Sequence, residues 1–216
     1  MKKLLSLALA LLLLAVMLPV TAMADTYTYP AGVTAESFPS DADYAIPGGS
    51  TGKAAAVVAY EKDGNVKYAA DVLTAINDGA TVLYMKEGVK GRLMAYTDFL
   101  AQPNRTPELT QNLTIYGNGA DFQYGEIAVN TSETGKATEL TVIVYDAKNI
   151  KIWGNTPNAG VTQNYVLENC KNQGASKEET SGELVLLWGE TGTVNVSANN
   201  CSVSNVDLGI YFGCDG

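Results

Sequence analysis

Short apolar runs alternate with breaks rich in Asn and Gly along this chain, and the period of the alternation changes from one region to the next. An apolar stretch from Leu4 to Val20 follows Lys2-Lys3 and precedes Ala22-Met23-Ala24, the three-part pattern of a secretory leader cleaved before Asp25. Ser6 and Pro19 interrupt it, so residues 1–24 read as a signal peptide rather than a membrane anchor, and no second long apolar run follows. Residues 25–52 are dominated by Thr, Ser, Pro, Gly and Ala and predict an extended arm or linker. The pattern then tightens. Ala55–Tyr60 and Val66–Tyr68 flank Asp63-Gly64-Asn65, a hairpin signal in which Gly supplies a positive φ. From Ala69 to Asp78 the apolar positions Val72, Leu73 and Ile76 recur at helical spacing, closed by Gly79, and Thr81–Met85 predicts a short buried strand.

Beyond Leu109 the chain repeats itself. Asn112-Leu113-Thr114-Ile115-Tyr116-Gly117-Asn118 returns as Asn149-Ile150-Lys151-Ile152-Trp153-Gly154-Asn155, and Gly125-Glu126-Ile127 with Glu133-Thr134-Gly135 returns as Gly182-Glu183-Leu184 with Glu190-Thr191-Gly192. Asn169-Cys170 is matched by Asn200-Cys201. The offsets are unequal, so the strands recur while the loops vary. Strands of two or three inward apolar residues, each followed by Asn or Gly able to turn a left-handed corner, suit a coiled sheet. An antiparallel sandwich is the alternative, but it favours two-residue hairpin turns over excursions such as 156–163 and 171–181. The expectation is an all-β, right-handed parallel β-helix of about three coils over residues 53–216, preceded by the hairpin and a capping helix. In it Ile115 and Ile152 are equivalent buried positions, Thr114 and Lys151 face outward, and Cys170 and Cys201 stack on successive coils as buried free thiols. Leu208–Phe212 predicts a strand of a further coil four residues before Gly216, which suggests a domain truncated at its C-terminal end or an end-to-end self-association surface.

Residues 68–216 resemble the pectate-lyase-like parallel β-helix superfamily, in particular its secreted bacterial repeat-containing members. The resemblance is carried by Leu73-Thr74-Ala75-Ile76-Asn77-Asp78-Gly79-Ala80-Thr81-Val82, similar to the superfamily's N-terminal helix and first strand, and by Asn112–Ala120, similar to an early coil. It implies a fold far more strongly than an activity. Lyases of the superfamily use calcium held by Asp and Glu with an Arg or Lys base, and its polygalacturonases use paired Asp with a His. This chain has no His, no Asp-Asp pair, and only Arg92 and Arg105.

Composition narrows the chemistry further. A net charge of -9 leaves no basic surface for nucleic acid, and zero His removes serine triads, Cys-His dyads and His-ligated zinc. The sequence therefore leans away from catalysis. Asp121, Glu126 and Asp146, with Asn130, are the candidate ligands for a calcium ion, although no regular acidic loop groups them. Asp146 with Lys148 and Lys151 resembles an acid and base grouping, but a corner Asp beside two exposed lysines is the better explanation. Tyr116 and Trp153, at matching repeat positions and so on one side of the helix, with Trp188 and Tyr211, are candidates for a sugar platform, since a flat ring face stacks on pyranose C–H groups. The expected role is extracellular recognition or attachment at a glycan or cell-surface ligand by a secreted or cell-surface protein. The alternative is a polysaccharide lyase or hydrolase whose catalytic coils lie outside this chain.

Overall fold

The computed structural model of the chain describes residues 29–46, 50–91, 93–94, 106, 108–174, 182–205 and 209–213. The leader at 1–24, Arg92, Arg105 and Cys214 lie outside them. Strand β1 (Ala42–Ile46) pairs antiparallel with β2 (Ser50–Ala54), and β3 (Val58–Lys62) with β4 (Asn65–Ala69). Helix α1 (Val72–Asn77) leads into β5 (Val82–Met85). The solenoid continues with β6 (Leu113–Val129), a one-turn helix α2 (Glu133–Lys136), β7 (Leu140–Asn155), β8 (Thr162–Glu168), β9 (Lys171–Gln173), β10 (Val185–Trp188), β11 (Thr193–Asn199), β12 (Ser202–Ser204) and β13 (Ile210–Gly213).

From β5 onward every pairing between turns is parallel. The chain is a β-solenoid of about four turns, one more than the sequence suggested, because β5 and the bridges Lys90–Asp121 and Leu109–Val129 already form a rung beneath β6. Each turn has three faces. The first stacks β5, the start of β6, the start of β7, β8 and β11; the second stacks the middle of β6 and β7 with β9 and β12; the third stacks the ends of β6 and β7 with β10 and β13. Between the first two faces the backbone turns through Asp146, Asn169 and Asn200 at φ 46°, 56° and 50°, the left-handed region that Asn and Asp tolerate better than other side chains. Inside, side chains stack in columns such as Leu83–Ile115–Val144–Leu167 and Ile127–Ile152–Val185–Ile210.

That register corrects the longest sequence repeat. Ile115 and Ile152 are both fully buried, but Ile115 aligns with Val144 on the first face and Ile152 with Ile127 on the third. The matching heptapeptides share the same sequence of strand and corner on different faces, not the same rung. The Asn-Cys pair does mark a true rung, since Lys171 aligns with Ser202 immediately after it.

The N-terminal end is closed as expected, with two changes. Asp63 and Gly64, at φ 52° and 75°, make the two-residue hairpin turn, and β3 pairs antiparallel with β5, so the hairpin extends the first face. Asp71 caps α1 by accepting a hydrogen bond from the Thr74 N–H at 2.6 Å. The helix buries Val72, Ala75 and Ile76, whereas Leu73 is only half-buried and is not part of the packed face. Lys62, Lys67 and the Tyr60 hydroxyl converge on the Asp78 carboxylate and tie the hairpin to the end of α1. Residues 29–54 differ from the expected free arm. They pair as β1–β2 and share a small core of Val33, Phe38, Ala42, Ala56, Ala59 and Ala70, while the Tyr29 hydroxyl accepts hydrogen bonds from the Glu87 N–H and the Asn118 side chain. Three aromatic rings, each meeting the next edge to face (Tyr29–Phe38 and Phe38–Tyr68), supply the apolar area that the small alanines lack.

The opposite end is open among the described residues. In the last described rung Ile210 and Phe212 align with the buried Val185 and Leu187 and so point inward, yet they are 39% and 47% exposed. Among the described residues no element covers them.

Candidate functional site

Alternation along each strand decides which aromatic side chains reach the outer surface. On the third face the inward positions Ile152, Val185 and Leu187 leave Trp153, Leu186 and Trp188 outward, and β13 adds Tyr211. Trp153, Leu186 and Tyr211 align on three successive turns, and Trp188 lies one column over, between Asn155 and Gly213. Three of the four aromatic residues singled out in the sequence thus lie on one outer face. The Trp188 and Tyr211 rings meet edge to face with centroids 5.1 Å apart. Trp188 is 36% exposed, and its six-membered ring lies across the backbone of Gly213: a Cβ there would fall 2.3 Å from the indole. Only glycine at 213 lets the ring occupy this position, so the platform depends on a residue with no side chain.

Tyr116 is not part of that cluster, which corrects the expectation that it shares a side with Trp153. It belongs to the first face, aligned with Tyr84 below and Tyr145 above. The three rings stack with centroids 5.1 Å apart and planes 10° from parallel. Both faces of the Tyr116 ring are therefore occupied by other tyrosines, leaving no face for a sugar to stack on. The same sheet carries an amide column at its other margin, where the Thr141 N–H donates to Asn112 Oδ1 and Asn195 donates to Asn164 Oδ1. A shallow polar groove of about 440 Å³ opens there, lined by Asn112, Glu139, Leu140, Thr141, Thr162 and Asn164.

The acidic candidates do not come together. Asp121 accepts hydrogen bonds from the Asn149 side chain and the Gln123 N–H and pairs with Lys90 at 3.5 Å. Burial pushes its carboxyl up, but those donors and the Lys90 charge outweigh it and hold the group below its ordinary value. Asp146 sits exposed at a corner. Glu126 faces Lys151 at 3.0 Å on the third face. Among the described residues no three His, Cys, Asp or Glu side chains are grouped to hold a metal ion. Asn130 is committed elsewhere, in a buried amide network with Gln163, Thr138 and Tyr165 that is closed by reciprocal hydrogen bonds of 2.7 and 2.8 Å between the Asn130 and Gln163 side chains.

Lys151 is the largest departure from the sequence reading. It is outward in the pleat but only 5% exposed, with its ammonium 3.0 Å from Glu126 and 3.8 Å from Glu183, and not beside Asp146. Glu183 Oε2 is buried and, among the described residues, accepts no hydrogen bond. Glu126 aligns with Lys151 from the turn below and Glu183 comes from the turn above, just before Val185 aligns with Ile152, so the grouping is made by register between turns and not by any one stretch of sequence.

No protein-family model matches this chain, and neither a curated protein nor a solved structure matches it.

Proposed function

We propose that this is a secreted or cell-surface protein for extracellular recognition, and that it contacts glycan through the third-face cluster of Trp188, Tyr211 and Trp153. The observation that carries the reading is the Trp188 indole, partly exposed, braced by the Tyr211 ring and resting on Gly213. A ring held in one orientation offers a flat apolar surface to sugar C–H groups with little ordering cost on binding. The leader at 1–24 supports the extracellular location. The three-faced turns and Asn corners support kinship with the pectate-lyase-like superfamily, and the absence of His from the whole chain favours binding over hydrolysis by an Asp and His set.

Residues 25–216, purified and incubated with a panel of insoluble polysaccharides with and without calcium, are expected to be depleted by at least one glycan without releasing unsaturated or reducing products. Trp188→Ala should abolish the depletion while leaving the circular dichroism of the solenoid intact. Unchanged binding by Trp188→Ala would overturn the assignment of the site, and product formation would favour the enzymatic alternative.

A further inference from the structure

At the corner between the first and second faces, one inward column is built from small residues: Ala120, Ala147, Cys170 and Cys201 on successive turns. The two cysteines are direct neighbours in it. The backbone on either side is locked in register, with the Asn169 N–H donating to the Asn199 carbonyl and the Ser202 N–H to the Cys170 carbonyl, both at 3.0 Å. Adjacent rungs of a sheet lie about 4.8 Å apart, inside the range of about 4.4–6.8 Å over which two Cα atoms are bridged by a disulfide. The Cys170 thiol lies 3.6 Å from the Val144 and Glu168 carbonyls, and the Cys201 thiol 3.4 Å from the Leu167 carbonyl, on the rung that carries Cys170. Both are free thiols in the structure, as the sequence suggested.

Their surroundings differ in a way that assigns them separate roles. Cys170 is fully buried, whereas Cys201 is half-buried, since no described residue stacks on the last described rung. That rung also holds the half-exposed Ile210 and Phe212, so it has room to close the small distance a bond requires. We propose that Cys170 and Cys201 are a redox site: an oxidising small-molecule disulfide converts them to a disulfide between rungs that latches the last described turn onto the one beneath it. In the first step the Cys201 thiolate attacks one sulfur of the oxidant, forming a mixed disulfide and releasing one thiolate. In the second, the Cys170 thiolate attacks Cys201 Sγ and expels the other thiolate. The two cysteine protons pass to the departing thiolates or to solvent, and the oxidant leaves as two thiols. The order follows from access and from acidity, since the hydrogen bond with Cys170 holds the Cys201 thiol below its ordinary value while the same contact and burial push Cys170 up.

The test uses residues 25–216 with Cys214→Ser, oxidised by glutathione disulfide at neutral pH. Intact mass under denaturing conditions should show the loss of two hydrogens and no retained glutathione, peptide mapping should join the 170 and 201 peptides, and hydrogen exchange of 202–213 should slow at least severalfold relative to the reduced protein. Cys170→Ala should stop at a glutathione adduct on Cys201, and Cys201→Ala should not react while folded. A stable glutathione adduct in the Cys214→Ser protein, or no reaction after full exposure to the oxidant, would overturn the proposal. Peptide mapping of the oxidised chain with all three cysteines gives a second reading that needs no substitution: a bridge from Cys214 to either residue in place of Cys170–Cys201 would also overturn it.

Discussion

Truncating one inward column at different heights measures how far each rung is enclosed. Ile127, Ile152, Val185 and Ile210 align through the third face. Ile152 is fully buried with a rung on each side, and Ile210 is 39% exposed at the open end. Changing Ile to Ala removes about three carbon groups at ~0.8 kcal/mol each, or ~2.4 kcal/mol of transfer energy for full burial. At Ile152 the rungs on both sides are held by backbone hydrogen bonds and cannot collapse into the gap, so a cavity term adds to this and the cost should be about 3–4 kcal/mol. At Ile210 only about three-fifths of the side chain is removed from water and no enclosed cavity forms, so about 1.5 kcal/mol is expected. Urea unfolding followed by far-UV circular dichroism reads both, with m-values checked for constancy. Equal losses at the two positions would refute the reasoning, because they would mean that the last described rung is enclosed in solution.

Four further outcomes follow from contacts already described. Lys151→Met removes the ammonium that faces both Glu126 and the buried Glu183 carboxylate and should lower stability by about 3–5 kcal/mol in thermal or chemical unfolding; a loss below about 1 kcal/mol would show that solvent reaches the site. Gly213→Ala should displace the Trp188 indole, shifting its emission and weakening any glycan-dependent quenching, and unchanged fluorescence would contradict the close approach. Lys62, Lys67 and Tyr60 hold the Asp78 carboxyl well below the ordinary range, so its contribution to stability is complete above the unfolded-chain value of about 3.9 and is lost only as pH falls through the lower folded value. Hydrogen exchange in 58–69 should therefore stay slow at pH 4 in the native protein and rise there in Asp78→Asn. Val72→Asp should yield insoluble protein, while Leu73→Asp, at a half-buried position, should remain soluble; the reverse result would reverse the assigned helix face.

The parts of this fold legible in the sequence are those that depend on local chemistry. Asp63-Gly64 specifies a turn by φ, the Asn of Asn169 and Asn200 specifies a corner, and the helix closes at Gly79; each was readable without knowing what lies across the molecule. Register was not. Ile115 and Ile152 share a flanking pattern because every strand entering a corner meets the same demand, so similarity of sequence there reports the corner and not the rung. Burial of Lys151 was illegible for a related reason: alternation assigns it to the outer face, but whether that face is covered depends on Glu126 and Glu183 from neighbouring turns. The aromatic platform lay between these cases. Trp188 and Tyr211 could be singled out as sugar-platform candidates, whereas Gly213 beneath the indole gave no sign of its role until the rungs were aligned. Residues 29–54 misled through composition, since Ala and Ser in a Pro-rich stretch suggest a linker even where a few aromatic rings suffice to anchor it.

The stacked tyrosines make the solenoid optically self-reporting. Tyr84, Tyr116 and Tyr145 come from three successive turns, with ring planes only 10° from parallel and centroids 5.1 Å apart. Transition dipoles that close and that well aligned couple to one another, so the near-ultraviolet circular dichroism of the phenols depends on their mutual geometry and not merely on their number. A slip of one residue between turns would send a ring to the opposite side of its strand and break the coupling, even though the strands and their total hydrogen bonding survived. Register, the property least visible in the sequence, is thus the one this molecule displays to a spectrometer without any label.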